Sequence, residues 1–145
     1  MSELPPGWTE VALGELCLPV EKHDPRTSPE RTITYIDIGG VRGERIVETK
    51  RIAGAETPSR ARQIVRSGDT ILSTVRTYLK KTALVPSELD GATASTGFCV
   101  LRPVEGVDPR FLYYRVIESG FVRRLSSLQT GSSYPAVRDL SLIHI

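Results

Sequence analysis

The chain has 145 residues, 39% of them hydrophobic and 25% charged, with 19 basic side chains against 17 acidic ones for a net charge of +2. That is one domain's worth of polypeptide with enough apolar content for a core, and its apolar runs are too short to cross a bilayer as a helix. The N-terminus is acidic and Pro-rich, unlike a secretory leader, so a cytoplasmic protein is expected.

In chain order, Leu4-Pro5-Pro6-Gly7-Trp8 reads as an extended lead-in that ends on an aromatic anchor. Thr9 can cap a short helix carrying Val11, Leu13 and Leu16. Residues 19–31, rich in Pro and charge, read as a loop. Residues 32–38 alternate polar and apolar side chains and predict a half-buried strand that ends at Gly39-Gly40. Residues 41–60 read as a surface excursion with little regular structure. Short strands are predicted over residues 61–65, 70–75, 82–85 and 97–101, with turn chemistry at Ser67-Gly68-Asp69. Asp108-Pro109 then opens a helix carrying Phe111, Leu112, Arg115 and Val116. A second helical pattern uses Phe121, Leu125 and Leu128. Strands first and helices later predict an α+β fold: a short-stranded, partly curled β-sheet with helices gathered in the C-terminal third.

Charge is distributed unevenly along this plan. Residues 60–81 hold six bases (Arg60, Arg62, Arg66, Arg76, Lys80, Lys81) against one acid, Asp69, a net +5. Residues 1–59 hold seven bases and ten acids, and residues 82–145 hold six of each. A concentrated positive segment is the electrostatic footprint of a surface that follows phosphates. Within it, Thr74-Val75-Arg76-Thr77-Tyr78-Leu79-Lys80-Lys81 interleaves hydroxyls, bases and one aromatic directly after a strand. Those side chains are suited to phosphate and base-edge contacts. The competing reading is a solvated face with Tyr78 packed in the core. Fifteen of the bases are Arg, the side chain suited to bidentate phosphate and guanine contacts.

Two further segments offer polar groups and backbone freedom. Ser95 and Thr96 lie in a run of small and hydroxyl residues that is also compatible with a turn or tight packing. The loop Thr130-Gly131-Ser132-Ser133-Tyr134 can approach a phosphate closely, or simply connect elements.

Catalytic chemistry is not expected. His23 and His144 are the only histidines and neither is placed for a nucleophile–base pair. No phosphate-cradling loop, zinc-protease helix or nucleophile elbow occurs. Cys17 and Cys99 have no metal or redox spacing and read as small buried apolar groups. No catalytic residue, metal or cofactor is expected.

Several of these segments, in this order, resemble the target recognition domain of a type I restriction-modification specificity subunit. The matching residues are 4–8, 13–16, 35–38, 68–80, 94–98, 111–114 and 130–137. The resemblance implies a single DNA target recognition domain over residues 1–145, reading one half of a bipartite site. It implies partnership with double-stranded DNA, with methyltransferase subunits and, through them, with a restriction/motor subunit. In that family a long helix normally follows, so the chain is expected to be the N-terminal part of a longer subunit. Arg76, Lys80 and Lys81, with Thr74 and Tyr78, are then the expected DNA contacts. Arg60, Arg62 and Arg66 extend the positive surface, and Ser95, Thr96 and residues 130–134 are further candidates. Because domains that read different sequences share residues 68–80, the base-specific side chains are expected in residues 41–66. The alternatives are the recognition part of a single-chain restriction/methyltransferase enzyme, against which Met1 argues, and an inert fragment.

Overall fold

The structure, a computed structural model, describes residues 10–73, 81–117 and 142–144. Its strands are β1 (Glu10–Ala12), β2 (Cys17–Leu18), β3 (Glu21–Lys22), β4 (Thr32–Ile36), β5 (Val41–Arg42), β6 (Arg45–Ile46), β7 (Lys50–Ala53), β8 (Ala61–Ile64), β9 (Thr70–Ser73), β10 (Thr82–Leu84), β11 (Thr93–Ser95), β12 (Phe98–Pro103) and β13 (Leu142–His144). One α-helix, α1 (Pro109–Ile117), follows β12. Five strands form one sheet in the order β3-β8-β11-β4-β7, and four form another in the order β10-β9-β12-β2. The pairs β1–β13 and β5–β6 stand apart as ribbons. All pairings are antiparallel except β11 with β4.

The four-stranded sheet divides two cores, and strand alternation shows how. Ile71, Phe98 and Val100 point into a cluster with Ile36, Val65 and Ala94 of the five-stranded sheet. Their neighbours Leu72, Cys99 and Leu101 point the other way, onto Leu112 and Val116 of α1. β9 is therefore buried along its whole length. Leu112 and Val116, four residues apart on one helical face, are both fully buried, each worth about 1.5–3 kcal/mol of transfer free energy. The helix begins as its sequence dictates: the Asp108 carboxylate accepts from the Arg110 backbone N–H at 2.8 Å, with Pro109 in the first turn.

The α+β class holds, with open sheets and the helix late in the chain. Four local expectations change. Residues 19–31, read as a loop, hold the short strand β3, paired with β8, and a 3-10 turn, Pro25–Thr27, capped by Asp24. The helix expected from Thr9 is instead β1 followed by a 3-10 turn, Leu13–Leu16. Its strand partner, β13, lies at the far end of the chain, and a pairing of that range leaves no local periodicity. Residues 41–60 are not irregular: they hold β5, β6 and β7 and a 3-10 turn, Gly54–Glu56. Lys50 and Arg51 disguise β7 because it is an edge strand with its charges outward. Residues 93–95 are a central strand, where only small side chains stand between β4 and β8. The expected second helix, the 4–8 lead-in and the 130–134 loop lie outside the described residues.

Candidate nucleic-acid interface

Strand registers gather one set of connections at a single end of the two sheets. β4 and β11 run in parallel to that end, with Ile36 beside Ala94. β8 starts there, with Ala61 beside Ser95. β9 finishes there, where Ser73 pairs with Phe98 and its N–H donates to Lys81 O at 2.9 Å. The junctions at Asp37-Ile38, Arg60, Thr96-Gly97 and Lys81 therefore lie together. Cross-links hold them: Lys81 Nζ donates to Ile38 O at 3.4 Å, and Thr96 N–H donates to Arg60 O at 2.8 Å. The Cδ1 of Ile38 lies so close to Gly97 that a Cβ there would collide with it. This end also carries the base of the β5–β6 ribbon, at Gly40 and Glu48, and Lys50 at the start of β7, while the ribbon's tip reaches Tyr113 on α1.

At this end Arg60 and Lys50 are exposed and Lys81 is half-buried, and none of the three makes an ion pair among the described residues. A hollow of about 130 Å³ opens beside Lys50, lined also by Tyr35, Asp37, Gly39, Gly40, Glu48 and Thr49. Asp37 Oδ1 accepts from the Ile38 N–H at 2.8 Å and from the Tyr35 hydroxyl at 3.4 Å, which fixes the turn out of β4. Burial pushes the Tyr35 hydroxyl above its ordinary pKa, so it stays a donor.

The other expected cations have different surroundings. Arg62 forms an ion pair with Asp24 Oδ1 at 3.3 Å and donates to Ala61 O at 3.0 Å. Arg66 lies at the opposite end of the sheets from Lys81, beside the Ser67-Gly68 turn that leads into β9. Its Nε and one terminal nitrogen grip the Glu21 carboxylate at 3.2 Å each, and Asp90 lies 3.8 Å away. Ser95 is buried, its hydroxyl accepting from the Gly97 N–H at 3.0 Å. Thr96 is half-buried at the gathered end. Thr74, Arg76, Tyr78 and Lys80 lie outside the described residues, as do Thr130, Gly131, Ser132, Ser133 and Tyr134; the described residues that flank 74–80, Ser73 and Lys81, are both at this end.

Opposite the gathered end sits an ion network that sequence reasoning missed. Asp69 is 1% exposed and accepts from the Arg66 backbone N–H at 2.8 Å and from Arg102 at 3.0–3.3 Å. Arg102 also donates to Glu21 at 2.7 Å and to Ile64 O at 3.2 Å. Hydrogen bonds from Arg66 and Arg102 hold the Glu21 carboxyl below its ordinary pKa, and those that Arg102 donates to Asp69 raise its guanidinium. The partners are 33 and 81 residues apart along the chain, a range at which no spacing signal exists. Among the described residues no cluster of three or more His, Cys, Asp or Glu could hold a metal, and no helix is long and apolar enough to cross a membrane.

No protein-family profile and no curated protein matches the chain. Solved structures do. A chain from a structure described as the basis of complex assembly and conformational transition of the type I R-M system superposes with a TM-score of 0.90 at 44% identity, over 100% of this chain. The HsdS subunit from Thermoanaerobacter tengcongensis superposes with a TM-score of 0.87 at 46% identity, over 99% of this chain. This chain spans 39% of the length of each.

Proposed function

The chain belongs to the specificity-subunit family of type I restriction-modification systems, and from that premise we propose that residues 1–145 form one DNA target recognition domain. Its role is to read one half of a bipartite site on behalf of cytoplasmic methyltransferase and restriction/motor subunits, without catalysing a reaction itself. The observation that carries this reading is the likeness, at 44–46% identity and over 99–100% of this chain, to 39% of the length of chains from type I R-M structures, an HsdS subunit among them.

In this account the gathered end faces the duplex. Arg60, Lys81, Arg76 and Lys80 neutralise phosphates, while Thr74, Tyr78, Thr96 and residues 130–134 add hydroxyl and backbone donors. Arg66 is assigned to the scaffold because it lies at the opposite end, Ser95 because it is buried, and Arg62 because its side chain is largely buried against Asp24 and Ala61 O. Counterion release makes each phosphate contact visible as salt dependence.

The test is a fluorescence anisotropy titration of a labelled duplex across a salt series. Binding weakens steeply with salt for the wild-type chain, and Arg76→Ala lowers the slope by about one unit per lost phosphate contact. An unchanged slope removes Arg76 from the interface, and a wild-type chain whose binding does not vary with salt removes the DNA reading.

A further inference from the structure

The β5–β6 ribbon has a construction that the DNA reading leaves unexplained. Val41 and Ile46 pair across it and turn inward, Val41 being fully buried and Ile46 packed on the same core. Arg42 and Arg45 form the next pair of the same register, so both side chains stand on the outward face. Both are exposed. Like charges placed directly opposite each other on a ribbon repel. Here one is partly offset by Glu48, 3.3 Å from Arg42 in an exposed pair, and Arg45 has no ion pair among the described residues. Two guanidinium groups held side by side against their own repulsion form a site for an electron-rich partner.

The ribbon is also held rigid. Gly43 and Glu44 form a two-residue turn with φ of 60° and 63°, the pattern that matches ribbon twist. Positive φ costs Glu44 conformational energy, and a latch stabilises it: the Tyr113 hydroxyl on α1 donates to Glu44 O at 3.1 Å. At the base, the Val47 and Glu48 N–H groups both donate to Gly40 O, at 2.8 and 3.3 Å. A Cβ at Gly40 would run into the Glu48 carbonyl, so the close approach needs glycine.

These contacts have a common property: latch and base act on backbone atoms, so they hold the ribbon whatever side chains its outer face carries. A ribbon fastened through its backbone keeps its position when its outward side chains change, so those side chains are free to be chosen for what they read.

We infer that the β5–β6 ribbon is the sequence-discriminating element of the domain, with Arg42 and Arg45 reading guanine edges in the major groove. This rests on the DNA reading above. A two-stranded ribbon fits the major groove, and Arg is the side chain that donates two parallel hydrogen bonds to guanine O6 and N7. Rigidity lowers the ordering cost of placing those donors. Lys81 and Arg60, at the end where the ribbon's base is anchored, keep the register on the phosphates.

The experiment selects preferred duplexes from a randomised library with the full 145-residue chain, then repeats the selection with variants. Each variant is first checked for an unchanged cooperative melt, which exposed Arg→Ala changes should preserve. Arg45→Ala and Arg42→Ala should each lose base preference at one or two positions and keep the rest of the consensus. Against the wild-type consensus duplex each should bind roughly five- to a hundredfold more weakly. Tyr113→Phe should keep the consensus but prefer it over scrambled duplex about fivefold less. Arg31→Ala, before β4 at the opposite end, should return the wild-type result. If both ribbon variants return the full wild-type consensus, the inference fails and the DNA reading stands. If either loses affinity equally for all duplexes, that Arg is a phosphate contact and its assignment to base reading is overturned. If the wild-type chain enriches no consensus, the DNA reading itself fails and the ribbon's role falls with it.

Discussion

Replacing Asp69 with Ala removes the acceptor that joins the turn before β9 to Arg102 on β12. The lost contacts are the Arg66 backbone N–H at 2.8 Å and the Arg102 donors at 3.0–3.3 Å, at a carboxylate that is 1% exposed. Deleting one partner of a buried pair costs about 3–5 kcal/mol, because the remaining charge is left uncompensated. Here the Arg102 side chain is 14% exposed and keeps Glu21 at 2.7 Å, so the lower part of that range, about 3 kcal/mol, is expected. Against a typical reserve of about 5–15 kcal/mol that is a large loss. Urea unfolding followed by circular dichroism should show a lower midpoint with an unchanged slope. Combining Asp69→Ala with Arg102→Met should cost less than the sum of the single losses, since the second change removes the stranded charge. A single-variant loss below about 1 kcal/mol, or strictly additive losses, would refute the reasoning.

The remaining predictions concern the ionisable groups. Glu21 has its folded pKa lowered below 4.5 by its arginine partners. Its contribution is therefore fully present above about pH 4.5 and disappears as pH falls through the lowered folded value. Stability measured from pH 6 down to pH 3 should fall less steeply in Glu21→Gln than in the wild-type chain, and equal steepness would contradict the network. Burial pushes the Cys17 thiol up to about 11 and the Cys99 thiol to about 12, so both stay protonated at pH 8. Both cysteines are half-buried rather than fully buried. A thiol-exchange reagent at that pH should therefore label them slowly in the native chain and fast in urea, and equal rates in the two would show that the second core is open.

How much of this was legible in the sequence depends on the range of the interaction. β4, β8, β9 and α1 could be read because alternation, a Ser-Gly-Asp turn and an Asp-Pro cap are local. β1 could not, since only distant residues 142–144 give it a partner. The β5–β6 turn escaped notice because Gly43-Glu44 lacks the usual Asn-Gly signature, and a tyrosine on α1 supplies what the turn residues do not. For the interface, counting charges found a basic segment but not the acids it meets. Arg62 and Arg66 lie in the same run as Lys81, yet Asp24 and Glu21 engage them from some 40 residues upstream. Conversely, Arg42, Arg45 and Lys50 were hidden within the acidic first 59 residues; the β4–β7 register brings Lys50 to the end where Lys81 lies, and the β5–β6 register sets Arg42 and Arg45 side by side.

Backbone amide hydrogen exchange, with and without a consensus duplex, tests the orientation of the domain most directly. Protection should concentrate at residues 38–50, 60, 73–81 and 96–97, leaving the turn at 66–69 and the start of α1 unchanged. Protection at 66–69 and around Arg102, with none at the gathered end, would place the duplex on the wrong side of the protein and contradict the account.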